Sequence, residues 1–271
     1  MLEDINALEK EELFALGYED HIQKIETKWE NMKSKHDHNN QETNSEFPCI
    51  DFVFVIGQQG IGKLSIVKTS FEKSIYLPVT FDLAHQEDRI RCQDEIRFLY
   101  HNQCIGKFTH GRNKKNSNAI VLDHLNHNKI NTKIIKGLIK FVQATQSKKE
   151  NITSTNKGQR SLIPFVFIYD FLEEKIHQNE EKLKLIKELI RLCHLKIKID
   201  SPNKKDVQKW IKFLLKKIRF PNVHKYISKE DITNIRKLKN IHFMKRQIYK
   251  IVRHNHEKRK QKDIRSFMFK M

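Results

Sequence analysis

A cluster of glycines ending in a lysine carries the clearest chemistry in the chain. Gly57-Gln-Gln-Gly-Ile-Gly-Lys63 fits the spacing G-x-x-x-x-G-K. In that pattern backbone N–H groups turn inward around a phosphate and the lysine adds a point charge. Glycine is required where the backbone bends tightly against the anion. The phosphate-binding set is therefore Gly57, Gly60, Ile61, Gly62, Lys63, Leu64 and Ser65. One position departs. The hydroxyl residue that follows the lysine and holds Mg²⁺ is replaced by Leu64, and Ser65, one place on, points about 100° away around a helix. The motif predicts ATP or ADP held through its phosphates, with the Mg²⁺ site weakened. A second acidic element of such sites ends a neighbouring strand, and Ile120-Val-Leu-Asp123 supplies Asp123 there.

The elements that would position these residues follow from hydrophobic pattern. Ile50–Ile56 is a nearly continuous β-branched and aromatic run, as in a parallel strand buried on both faces. A helix from Leu64 to about Ser74 follows the glycine turn. Further strands are expected over 76–83, Asn118–Asp123 and Ile163–Tyr169, separated by helices over Glu87–Tyr100 and Lys133–Thr145. Strands alternating with helices predict an α/β parallel sheet with right-handed crossovers. Leu195–Ile199 alternates strictly, as a short edge strand does.

Upstream, residues 8–34 read as helical, with Ile22, Ile25 and Trp29 on one face, and 34–47 as a polar linker. Ser147–Gly158 reads as a polar loop, and a charged helix is expected from Asp170 to about Cys193. Beyond Ser201 only helical patterns occur. Val207, Trp210, Ile211, Leu214 and Leu215 share one face, Ser228 to Asp231 resembles a capping box, and a last helix carries Met244, Ile248 and Ile251. The expected organisation is an N-terminal helix and linker over 1–48, a phosphate-loop α/β domain over 49–200, and a small α-helical lid with a basic tail over 201–271.

With 52 Lys and Arg against 33 Asp and Glu, the formal net charge is +19. Such an excess suits a polyanion, because each neutralised phosphate releases counterions. The alternative reading is solubility together with coding bias. The stretch Lys107, His110, Arg112, Lys114 and Lys115 is the candidate DNA contact, against a solvated loop, and the tail 256–262 a second basic run. The pairs His36/His38, His124/His127 and His254/His256 lack the third and fourth ligands a metal needs. No two of Cys49, Cys92, Cys104 and Cys193 have metal or redox spacing, so reduced, partly buried thiols are expected. No apolar run approaches the roughly 20 residues that span a bilayer, and no apolar signal core opens the chain.

These residues together resemble the large-subunit branch of the AAA+ clamp-loader ATPases, and within it the DNA-damage checkpoint loader subunit that partners the small replication factor C subunits. The resemblance is carried by Glu12–Trp29, the phosphate loop, Asp123 in the Walker B position, Lys133–Thr145 followed by Ile163–Asp170, and Cys193–Pro202 leading to Trp210. It covers most of residues 12–252 and is specific in the phosphate loop. It implies a parallel-sheet AAA+ domain followed by a helical lid, a nuclear protein, and DNA, other AAA+ subunits and a sliding clamp as partners. It also implies a polar sensor-one residue at Tyr169 and Lys245 at the sensor-two position. Active members follow the Walker B aspartate with glutamate to polarise water, whereas this chain has His124. A neutral imidazole there would be a base. No collar domain of the kind that assembles the family's pentamers follows the lid.

Three functions stay open: a weakly or non-hydrolysing subunit that holds DNA and partner ATPases, an active DNA-dependent ATPase of the same fold, and a nucleic-acid-binding adaptor that has lost nucleotide.

Overall fold

Ile50–Ile56 is apolar on both sides, which is stable only where both faces of a sheet are covered. In the computed structural model this run lies in β1 (Cys49–Gln58), in the interior of a five-stranded, all-parallel sheet. The structure describes residues 8–37, 49–101, 117–153, 162–171, 180–218, 227–238 and 240–268. The other strands are β2 (Tyr76–Asp82), β3 (Ser117–Asp123), β4 (Leu162–Phe171) and β5 (Leu195–Ile199), in the order β2-β3-β4-β1-β5. The helices are α1 (Lys10–Ala15), α2 (Glu19–Asp37), α3 (Lys63–Ser70), α4 (Gln86–His101), α5 (Thr132–Thr153), α6 (Glu180–Leu192), α7 (Lys204–Lys217), α8 (Lys229–Arg236) and α9 (Ile241–Met268). Among the described residues no strand follows Ile199. Among the described residues no helix is long and apolar enough to cross a membrane.

Two compact units are formed. One comprises His21–Gln58 and Val67–Asp200, the other Met1–Asp20, Gln59–Ile66 and Ser201–Met271.

The first unit is the sheet and its helices. The β1-to-β2 connection runs along the sheet in one direction, and those from β2 to β3, β3 to β4 and β4 to β5 run in the other. Right-handed crossovers therefore put the first connection on one face and α4, α5 and α6 on the other. Side-chain alternation agrees. Phe52, Phe54, Ile120, Leu122, Phe165 and Phe167 pack with Leu138, Phe141, Ile186 and Leu189 into one core. Val53, Val55, Val121, Val166 and Ile168 point to the opposite face and are equally buried. Trp29 of α2 stacks on Phe71, just past α3, with centroids 4.6 Å apart, and its Nε1 donates to Ser70 Oγ at 3.1 Å. Asp51 ties two elements to the central strand. Its carboxylate meets His194 Nδ1 at 2.9 Å and Lys28 Nζ at 2.5 Å. Burial alone would raise the Asp51 carboxyl, but the bonds from His194 and Lys28 outweigh it and hold it at about 2.

In the second unit α1 packs on α7; Leu13, Leu16 and the Val207, Trp210, Ile211, Leu214 and Leu215 stripe of α7 are all buried. Glu9 and Lys217 form an ion pair. Ser228 Oγ accepts from Asp231 N and Asp231 accepts from Ser228 N, the expected capping box.

Some boundaries differ from expectation. The 8–34 helical region is two helices, closed at Gly17, where Gly17 N donates to Phe14 O and Tyr18 N to Leu13 O. α3 ends at Ser70 because 71–74 fold into successive tight turns, with Ser74 Oγ accepting from Tyr76 N. α5 continues to Thr153 through much of the expected loop. Lys148, Lys149 and Glu150 are helix formers, and Gln146 Nε2 bonds Leu192 O at 2.7 Å. In α9 the buried apolar positions are Ile241, Met244, Ile248 and Val252, with Ile251 half-buried.

Candidate functional site

In open parallel sheets, ligands lie beyond the carboxyl ends of strands whose connections leave in opposite directions. Here those strands are β1 and β4. β1 runs two residues past the apolar run, so Gly57 pairs with Asp170 and Gln58 with Phe171. The chain then enters the glycine turn. Gly60 and Gly62 adopt φ of +78° and +87°. A Cβ on Gly62 would stand 2.6 Å from Leu8 Cδ1, and one on Gly60 would collide with the Asn240 side chain. Both positions therefore require glycine for conformation and for space. Ile61 and Lys63 are buried, Leu64 and Ser65 half-buried. α3 starts at Lys63, and Ile66 N donates to Gly62 O at 3.0 Å.

Two distant segments lie against this turn. Leu8 N donates to Ser65 Oγ at 3.3 Å. Ile241 N donates to Gly60 O at 3.0 Å, while Asn240 caps α9 by accepting from Phe243 N. One turn into α9 is Lys245. Its Nζ donates to Glu12 Oε2 at 2.9 Å, and the two side chains are 6% and 0% exposed. Glu12 Oε2 also accepts from Glu9 N at 2.9 Å. Lys245, which the resemblance aligns with sensor two, is thus matched by a carboxylate of this same chain.

At the strand tips of the sheet unit, Asp82 and Asp123 are register partners on β2 and β3. Asp123 is buried, and His124 follows it with a left-handed φ of +57°. That conformation is uncommon for a side-chain-bearing residue. It lets His124 N donate to Asp123 Oδ1 at 2.8 Å and brings Nδ1 to 3.3 Å from Asp123 Oδ2 and 3.2 Å from Asp82 Oδ1. The Asp123 carboxylate, 3.3 Å from the ring, raises His124 most, helped by the charges of Asp82 and Asp170 and opposed by burial, up to about 9. At neutral pH the ring is an imidazolium. The sequence admits a neutral imidazole base at this place, but two carboxylates keep the proton on it.

Tyr169 alternates with Phe165 and Phe167 and joins the aromatic core, its ring 6.3 Å from Phe54. Burial, then the Asp170 charge, raises its hydroxyl. The β4 residue on the same face as Asp123 is Asp170, which is buried. Asp82, Asp170, Glu12 and Asn240 were not singled out from sequence. Strand alternation would have found Asp170, since Val166, Ile168 and Asp170 share a side. Lys107, His110, Arg112, Lys114 and Lys115 lie outside the described residues. Cys92 and Cys193 are buried free thiols, each raised to about 12 chiefly by burial, and Cys104 lies outside the described residues. Among the described residues no group of three His, Cys, Asp or Glu is placed to hold a metal ion.

No protein-family model and no curated protein matches the chain. Among solved structures it is similar to a chain in the structure of the E. coli MS115-1 HORMA:CdnC:Trip13 complex. Identity there is 11%, with a TM-score of 0.38, over 85% of this chain and 78% of that one.

Proposed function

We propose that the chain is an AAA+-like phosphate-loop module that binds nucleotide through its phosphates and turns it over weakly or not at all. The observation that carries this reading is the turn itself. A buried parallel strand leads into Gly60 and Gly62, both with positive φ, and then into a helix that begins at Lys63. The N–H groups of Gly60–Lys63 and the Lys63 ammonium would hold a phosphate. Several charge-assisted bonds of about 1.5–3 kcal/mol each can do this without a metal. The all-parallel sheet with a helical C-terminal region is consistent with an AAA+-like fold.

Hydrolysis needs more: a cation to neutralise developing charge and a group to orient water. The donors for Mg²⁺ do not fit. Leu64 offers no hydroxyl, and Asp123 already faces an imidazolium. A protonated His124 accepts no proton from water. Titration with a fluorescent ATP analogue, with and without Mg²⁺, tests the reading. Binding should be insensitive to Mg²⁺ and lost in Lys63→Ala, with no phosphate release. Mg²⁺-dependent turnover lost in Lys63→Ala would establish the active ATPase instead. No binding at all would leave the adaptor that has dispensed with nucleotide.

The finer proposal is a clamp-loader-like subunit working on DNA in the nucleus, beside other AAA+ subunits and a sliding clamp. It is supported by the net charge of +19 and by the sequence resemblance over residues 12–252. Its test is salt-sensitive, sequence-independent binding to duplex or junction DNA. Affinity that barely changes between low and moderate salt sinks the charge argument.

A further inference from the structure

The helix layer of the sheet unit opens between α4 and α5. α5 leans on α6 through Lys136–Glu181 at 2.7 Å and the Gln146 bond to Leu192 O. On its other flank lies a cavity of about 530 Å³. The floor is apolar and deep, reaching Leu83, Leu122, Leu138 and Phe141, with Cys92 and Ile96 on the α4 side. The rim is cationic. Arg89, Lys133 and Lys140 line it, and no Asp or Glu does. Arg89 is fixed by bonds to Leu83 O and Ala84 O at 2.8 and 2.9 Å. Among the described residues Lys133 and Lys140 make no ion pair. The N-terminus of α5 adds partial positive charge at the same end.

Gly137 lies midway between Lys133 and Lys140 on one stripe of α5. A Cβ there would meet nothing within 4 Å. Glycine weakens a helix interior relative to alanine, and here no close neighbour demands it. Its effect is to leave the space above the floor open between two lysines.

We propose that this cavity binds a small amphiphilic organic anion, its apolar body against Ile96 and Ile134 over the buried floor and its anionic head at Lys133 and Lys140. The volume falls in the range of small-molecule sites, which pair an apolar lining with a few polar groups. The head is anionic because the rim offers cations without counter-ions and no carboxylate.

The experiment uses the full chain with 8-anilinonaphthalene-1-sulfonate as the fluorescent probe. The expected result is one saturable site, with the probe displaced by decanoate and not by decylamine. Gly137→Leu, whose side chain enters open space, should weaken the probe by at least about tenfold at undiminished thermal stability, as should Lys133→Glu with Lys140→Glu. The proposal is overturned by no saturable binding, by equal displacement with decylamine, or by undiminished affinity in a folded Gly137→Leu variant.

Discussion

The glycine turn and the strand tips both bring a cation against carboxylates, but at different depths. Lys245 and Glu12 are 6% and 0% exposed, whereas His124 and Asp82 are 38% and 33% exposed. A fully desolvated pair is costly to break, because removing one partner strands a charge without water. A half-exposed imidazolium is cheaper to lose, and this one gives up its proton near pH 9. The first contact is a fixed part of the fold. The second responds to pH.

The largest effect should come from breaking the buried pair. Glu12→Gln or Lys245→Met is expected to lower unfolding free energy by about 3–5 kcal/mol, and the double replacement Glu12→Met with Lys245→Met to recover most of it. Denaturant titration of the three variants reads this, and a single-variant loss below about 1 kcal/mol would place the pair in solvent. Next comes Asp51, an intermediate case inside the sheet. Its folded pKa lies below the unfolded value, so its contribution is complete above about pH 4 and lost as pH falls through about 2. The size is on the order of 2 kcal/mol, and Asp51→Asn should abolish that acid limb in stability curves.

His124 runs the other way. Its folded pKa is raised, so its stabilisation is complete below about 6.5 and lost as pH rises through about 9. Allowing for screening of the part-exposed ring, the loss should be on the order of 1–2 kcal/mol. A wild-type curve as flat from pH 6 to 9 as that of His124→Gln would refute a held imidazolium. The smallest effect is a reference outside both regions. Gly137→Ala should stabilise by about 0.5–1 kcal/mol, since its methyl group meets open space. A loss of stability there would mean that α5 needs the glycine.

Local signals were the legible ones. The phosphate loop, the β-branched runs that became five strands and the α7 stripe all depend on residues within a few positions of each other. Trp210 and its four apolar companions are buried as their spacing predicts. Hydrophobic periodicity cannot separate an exposed helix from a loop, which is why α5 beyond Thr145 was missed. The charge pairing was hidden for another reason. Glu12 and Lys245 are 233 positions apart, and nothing short of topology brings them together. Asp82 meets His124 only through the register of β2 with β3.

The contact of Asn240 with Gly60 bears on how the chain acquires its fold. The unit built around the turn is discontinuous, drawing on Met1–Asp20, Gln59–Ile66 and Ser201–Met271. During synthesis its first two pieces leave the ribosome long before the third. Until α7 and then α9 emerge, Leu8 and Leu13 lack part of their surroundings, and Glu12 has no Lys245. Closing so long a loop is entropically slow and favours late ordering. Pulsed hydrogen exchange during refolding should therefore find amides of 241–252 protected after those of β1 and β4. A nascent or truncated chain of this protein would depend on chaperones until its last helix arrives.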